Sequence, residues 1–277
     1  MPVIERPDTA RISWESDGPE DAPAVLLLMG LAYPAAMWFR LVPALAESYR
    51  VIRIDNRGAG RTGDVPGAPY TVETMAADSL AVLDAADVHT AHIVGISMGG
   101  FMSLELALRH PVLVRSLVLV ATSAGGRGHK RPSLATMRLL LARRQANADP
   151  GELARNVYAA IMGPGYAAGN PDVMERIAAI ARYRPMTGAA YFRQLWVAMR
   201  HNVAARLGQI RVPTLVIHGA DDPLVPPING QRLARRIPGA RLIIYPNTGH
   251  IPIIERAAEF NRDVLAFLAE QHPPAER

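Results

Sequence analysis

Residues 92–100 read "HIVGISMGG". An apolar run stops abruptly at Ser97, with glycines at 95, 99 and 100. Two readings compete for this serine. It either caps a helix that follows a strand, a position serine favours, or stands as a nucleophile at the end of a sheet. Gly95-Ile96-Ser97-Met98-Gly99 has the G-x-S-x-G spacing of a tight strand-to-helix turn. In such a turn, side chains two positions either side of the serine would strike neighbouring elements. The pentapeptide alone does not choose between the two readings.

Similar apolar runs recur along the chain. They are "AVLLLMG" (24–30), "RVIRIDNRGAG" (50–60), "SLVLVATS" (116–123), "TLVIHGADD" (214–222) and "RLIIYPNTGH" (241–250). The runs are continuous rather than alternating, so both faces of each strand are expected to be buried, as in a parallel sheet. Helical spacing fills the gaps at 71–88, 98–110 and 257–271. The second of these stops before Pro111, and the last should turn Leu265 and Leu268 inward. Alternating strand and helix predicts an α/β fold with an open, mostly parallel, doubly wound sheet. The alternation breaks between 125 and 210. There 134–148, 173–183 and 191–210 read as helices and "PGYAAGNP" (164–171) as a loop. A helical cap at 125–210, inserted between two strands, is therefore expected over a core of 1–124 and 211–277.

Composition narrows the function classes. Hydrophobic residues make up 49% of the 277, enough for a large core. The chain has no cysteine, which excludes disulfides, thiolate metal sites and cysteine nucleophiles. The formal charge is +5, and Lys130 is the only lysine. The arginines are dispersed; the pairs Arg143-Arg144 and Arg235-Arg236 sit in helix-like segments and read as solvated faces. No nucleic-acid partner is expected. The N-terminus lacks a signal-peptide layout, and no apolar run is long enough to span a bilayer, so a cytoplasmic protein without a membrane partner is expected. Oligomeric state stays open.

In open α/β sheets, reactive groups gather outside the carboxyl ends of the strands. Ser97 follows "HIVGI", Asp221 and Asp222 follow "TLVIHG", and His250 follows "RLIIYPNTG". The order Ser, Asp, His, each at a strand end, selects the nucleophile reading. His250, on a loop between Gly249 and Ile251-Pro252, is the expected base. His89, His92, His110 and His218 read as structural. His129, His201 and His272 lie in the cap or tail with no evident partner. Asp222, stiffened by Pro223, is the expected acid, with Asp221 as its rival. Backbone amides of Met98 and Leu31 are the expected oxyanion donors. Trp196, Met199 and Tyr191 are candidates to line a pocket.

"LLLMGLAYPAAMW", "VIRIDNRGAGRT", "HIVGISMGG", "TLVIHGADDPLVPP" and "IPGARLIIYPNTGH" together resemble the α/β-hydrolase superfamily along nearly the whole chain. The resemblance implies a Ser97–His250–Asp222 triad and a cap over 125–210. Most relatives carry His-Gly where this chain has Met29-Gly30; a branch resembling aclacinomycin methylesterase shares the Met-Gly. Met29 then makes the acyl pocket more apolar and leaves the Leu31 amide available. "GISMGG" with "RGAGRT" also resembles 3-oxoadipate enol-lactonases, carboxylesterases and cofactor-free perhydrolases. Epoxide hydrolases and haloalkane dehalogenases use an aspartate nucleophile, and meta-cleavage hydrolases usually carry Asn where this chain has Ile96.

The expected function is hydrolysis of a small-molecule carboxylic ester through an acyl-enzyme, with no metal and no cofactor. Lactone hydrolysis and peracid formation are alternatives within the enzymes. A non-catalytic hydrolase fold that holds a ligand is the alternative from another class.

Overall fold

A computed structural model describes residues 2–142 and 149–271. Its single sheet has eight strands: β1 (Val3–Glu5), β2 (Arg11–Asp17), β3 (Ala24–Leu28), β4 (Arg50–Ile54), β5 (Ala91–Ile96), β6 (Val114–Val120), β7 (Thr214–Gly219) and β8 (Arg241–Tyr245). The spatial order is β1-β2-β4-β3-β5-β6-β7-β8. β1 and β2 join antiparallel, and every pairing from β4 to β8 is parallel. The register sets Leu28 beside Ile54 and Gly95, and Ile96 beside Val120. The carboxyl ends of the central strands therefore share one edge.

Every residue of β3, β5 and β7 is buried. Alternate residues serve opposite faces: Val25, Leu27, Val94 and Ile96 join one core cluster, while Leu26, Leu28 and Ile93 join the other. This is the two-sided burial that continuous Val, Ile and Leu runs predict. β8 departs from it. As an edge strand it has one neighbour, and its first residues are exposed. β1 and β2, which lack a continuous apolar run, were not legible as strands.

Eleven α-helical segments are assigned among the described residues. Those outside the insertion are α1 (Val42–Leu45), α2 (Val72–Ala85), α3 (Met98–Arg109), α9 (Ile228–Arg236), α10 (Pro252–Glu255) and α11 (Ala257–Glu270). α2, α3 and α9 cover one face of the sheet; α1 and α11 cover the other. Leu268 is buried, and Leu265 packs at its margin.

Between β6 and β7 lie α4 (Leu134–Ala142), α5 (Pro150–Ile161), α6 (Tyr166–Gly169), α7 (Pro171–Tyr183) and α8 (Gly188–Arg200). Three sequence expectations change here. The loop at 164–171 holds the single turn α6. The expected helix 191–210 starts earlier, at the Thr187 cap, and breaks after Arg200. The break has a physical cause: Val203 N–H donates to the Ala124 carbonyl, and Asn202 bridges Gly125, so the chain bonds to the β6 exit instead of to α8. α5 was not singled out, although Asp149 caps it by accepting from the Glu152 amide and Pro150 starts it. Arg143-Arg144, the end of the expected helix 134–148, and His272 lie outside the described residues. Arg235 and Arg236 are exposed at the end of α9, as expected. No helix among the described residues is long and apolar enough to cross a membrane.

Candidate active site

Ser97 sits between β5 and α3 at φ 54° and ψ −117°. A residue with a side chain adopts this conformation only when its surroundings enforce it. Here the Ser97 amide donates to the Val120 carbonyl at 2.8 Å. Its carbonyl accepts from the Thr122 hydroxyl at 2.7 Å and the Gly100 amide at 2.9 Å. The flanking glycines are needed for room. A Cβ on Gly95 would overlap the Ser103 hydroxyl and the Gly99 carbonyl; one on Gly99 would overlap the Leu28 carbonyl. The Ser97 hydroxyl makes no capping bond to α3. It starts the helix in position without spending its oxygen on the helix amides.

The exits of β7 and β8 bring Asp222 and His250 together. His250 Nδ1 lies 2.8 Å from Asp222 Oδ2, and both residues are buried. Asp222 Oδ1 accepts from the amides of Leu224 and Val225 at 2.9 and 2.8 Å. Burial alone would raise the Asp222 pKa, but the charge of His250 and hydrogen bonds from His218 and His250 bring it below the usual carboxylate value. An ionised Asp222 holds the His250 proton on Nδ1 and leaves Nε2 as the acceptor. Asp221 is exposed, and its amide donates to the Thr248 carbonyl. His218 does more than pack: its Nε2 lies 2.7 Å from the Val225 carbonyl and 3.3 Å from Asp222 Oδ2.

Met29, Gly30 and Leu31 follow β3. A Cβ on Gly30 would lie 3.2 Å from Ser97 Cβ and 3.8 Å from Ser97 Oγ, so this turn runs against the serine. Met98 is the first residue of α3, where backbone amides have no acceptor within the helix. Its side chain is buried in the core. Met29, Leu31, Ser97, His250 and Tyr191 share one cavity of about 50 Å³ with residues of α4 and α5. Among the described residues, no Asp, Glu, Lys or Arg lines it.

Trp196 is not part of this cavity. It is 55% exposed and borders a different depression beside Arg200 and Glu73. Met199 is also exposed. α8 turns Tyr191, Gln194 and Leu195 inward; two residues beyond Gln194, a helix has rotated by more than half a turn.

Two buried polar side chains absent from the sequence reading fasten the site. Gln194 Oε1 accepts from Ala32 N–H at 2.8 Å, and its Nε2 donates to the Arg57 carbonyl at 2.5 Å. It thereby ties α8 to the turn after β3, which Asn56 also holds by donating to the Met29 carbonyl. Glu255 accepts from the amides of Gly163, Gly249 and Ile251 at 2.6, 2.9 and 3.0 Å. Burial pushes the Glu255 carboxyl above the usual range, against the pull of these amides and of His250. The His250 amide also donates to the Ile161 carbonyl at 2.7 Å. The end of α5 is thus bonded directly to the histidine loop. "ERAAEF" after "GHIPII" holds a carboxylate in an apolar context, the one sequence signal for Glu255. Gln194 had none.

A strained serine at a strand end, a buried His–Asp pair and an eight-stranded mixed sheet define the architecture of an α/β hydrolase. The family described as alpha/beta hydrolase fold matches residues 23–257. The chain belongs to that family. It is 37% identical over 269 residues to a protein of Variovorax paradoxus named "Putative carbamate hydrolase RutD", covering 95% of this chain and 98% of that one. The enol-lactonase of Burkholderia xenovorans LB400 superposes with a TM-score of 0.82 at 30% identity, covering 94% of this chain and 96% of its own. An N-acyl homoserine lactone degrading enzyme superposes at 0.79 with 27% identity, covering 96% of this chain and all of its own.

Proposed function

We propose that this hydrolase cleaves an uncharged carboxylic ester through an acyl-enzyme. The observation that carries the reading is the serine: Ser97 is held at φ 54°, its hydroxyl uncommitted to α3, in the same cavity as the buried His250–Asp222 pair. Ser97 Oγ attacks the carbonyl carbon as its proton passes to His250 Nε2. The amides of Leu31 and Met98 take the oxyanion. The C–O bond breaks, the alcohol leaves with the proton from His250, and water repeats the sequence to release the acid. Asp222 orients His250 and stabilises its charged form. Residues 125–210 act as the cap, whose helices set the shape of the acyl pocket.

The uncharged lining favours neutral substrates. Among the described lining residues, a substrate carboxylate or a free carbamate anion would meet no Lys or Arg. A neutral lactone satisfies the same chemistry, with the leaving alcohol still tethered, and two structural relatives are named for lactone cleavage. A panel of p-nitrophenyl esters of increasing chain length, with a neutral lactone and a carboxylate-bearing one, tests the proposal. The expected result is turnover of short neutral esters, lost by about 10⁴-fold or more in Ser97→Ala with folding intact. Ligand binding without product release on every substrate would instead favour a non-catalytic role.

A further inference from the structure

A second cavity opens beyond the end of β6, between residues 123–133 and α9. Its volume is about 230 Å³, and Arg127, His129, Arg232 and Arg236 line it with no carboxylate among them. The two stretches that border it, 123–133 and 227–240, carry Arg127, Lys130, Arg131, Arg232, Arg235 and Arg236 and no Asp or Glu. All six cations are exposed, and none belongs to an ion pair among the described residues. Elsewhere many arginines are paired: Arg53, Arg57, Arg182 and Arg193 each meet carboxylates. Like charges gathered without counter-charges repel one another; Arg235 and Arg236 complement the end of α9 and Arg232 bonds the Gly128 carbonyl, but no carboxylate among the described residues offsets the repulsion.

The cavity is also fixed in shape. Asn229 is buried; it accepts from the Lys130 amide and donates to the Lys130 carbonyl, both at 2.9 Å. Arg232 reaches across and donates to the Gly128 carbonyl. The bond from Val203 to Ala124 holds the other end of the loop. Inside, His129 Nδ1 is buried with no hydrogen-bond partner among the described residues. Burial first, and then the charges of Arg131 and Arg232, lower the His129 pKa.

We propose that this cavity binds a small phosphate-bearing molecule through the guanidinium groups of Arg127, Arg232 and Arg236. Three guanidiniums around one cavity match an anion with several oxygens on one centre, whereas a carboxylate offers oxygens enough for one fork. The cations line a half-open pocket of limited volume instead of tracking along a groove, so a small anion fits better than a nucleic-acid strand. The cavity shares no lining residue with the one at Ser97. The proposal is therefore independent of the ester reading.

Calorimetric titration of the full chain with inorganic pyrophosphate tests it, with sodium chloride at matched ionic strength as control and a short DNA duplex as a separate arm. The expected result is one saturable pyrophosphate site per chain, absent with chloride. In the Arg232→Gln, Arg236→Gln double variant the affinity should fall by about tenfold or more, from the lost charge-assisted bonds. Its ester turnover should stay within about twofold, since both residues lie away from Ser97. Arg127→Gln provides a second variant if the double one fails to fold. Heats no larger than those of chloride, an affinity unchanged in the variants, or binding of the duplex alone would overturn the proposal.

Discussion

Among the described residues, Ser97, His250 and the positive-φ backbone at Ser97 lie on the sheet side of the Ser97 cavity; the inserted side contributes no Ser, His, Asp or Glu to it. Ser97, Asp222 and His250 sit on the exits of β5, β7 and β8; the Ser97 amide is bonded to β6, the Asp222 carboxylate to the Leu224 and Val225 amides of its own loop, and the His250 amide to the Ile161 carbonyl at the end of α5. Across the cavity, Leu140, Val157, Tyr158, Ile161 and Tyr191 present apolar and aromatic surface. The Tyr191 hydroxyl is used structurally, donating to the Leu140 carbonyl at 2.9 Å. The difference separates two tasks. On the proposed reading, bond-making falls to the sheet edge, where a rigid frame can hold strained geometry. On the same reading, selection falls to helices whose side chains can vary without disturbing that frame.

The sharpest way to break this division is at the acid. Asp222→Asn should lower kcat by about 10⁴-fold on every substrate that turns over, because the imidazole loses its correct tautomer and charge partner. Asp221→Asn should stay within about twofold, since Asp221 is exposed and contributes its backbone amide, which the substitution keeps. Steady-state kinetics on two esters of different length check both variants. An Asp221 variant that loses turnover while Asp222→Asn keeps it would place the acid wrongly.

Much of the sheet side was legible in the sequence because each reactive residue follows a run of Val, Ile and Leu. Strand ends in a parallel sheet share an edge, so order along the chain becomes proximity in space. The inserted side offered no such rule. Trp196 and Gln194 occupy one helix, two residues apart. Which of them faces inward depends on how α8 rotates against the turn after β3, a tertiary contact. Hydrophobicity favoured Trp196; the structure buries Gln194, because its amide satisfies two backbone groups that water cannot reach. β1 and β2 carry a weaker signal for a related reason: β1 is an edge strand, and both lie on the antiparallel, partly exposed margin of the sheet, which asks for no continuous apolar run.

Glu255 is where the two sides meet. Its carboxylate accepts amides from the histidine loop and from Gly163 beyond α5. Gly249 has no space for a side chain, as a Cβ there would overlap the Ile161 carbonyl. Glu255 is therefore expected to position His250. In Glu255→Gln one acceptor becomes an NH₂ facing a backbone N–H. A fall in kcat of about tenfold is expected, from one charge-assisted bond lost and one donor left unsatisfied. KM should change little, since Glu255 is not among the cavity's lining residues. A loss of stability with kcat unaltered would make Glu255 a structural anchor only, and the two sides would then be independent.

A smaller effect should mark the inserted side. Val157→Ala on α5 enlarges the cavity by two methyl groups. The ratio of kcat/KM for a longer ester to that for a shorter one should rise by a few-fold up to about tenfold, as for a hydrophobic pocket that gains space. Proton transfer should be unaffected, so the best substrate should turn over at a similar kcat. Equal losses across the whole panel would mean that Val157 supports the catalytic geometry, contrary to the division of tasks.

The smallest expected effect is at Trp196, and it bears on how α8 divides its labour. One face of the helix meets the cavity through Tyr191 and the turn after β3 through Gln194. The other presents Trp196 to solvent, with the Arg200 guanidinium over its ring at 5.4 Å. An exposed cation–π contact contributes about 0.5–1 kcal/mol, so Trp196→Ala should cost no more than that in stability. Its kcat/KM should remain within about twofold for all esters, while Gln194→Ala, on the inner face, should lower turnover by freeing the Ala32 amide beside the oxyanion turn. A change in chain-length preference in Trp196→Ala would mean that α8 rotates during turnover and brings its outer face to the substrate. The boundary between the two sides would then shift with the catalytic cycle.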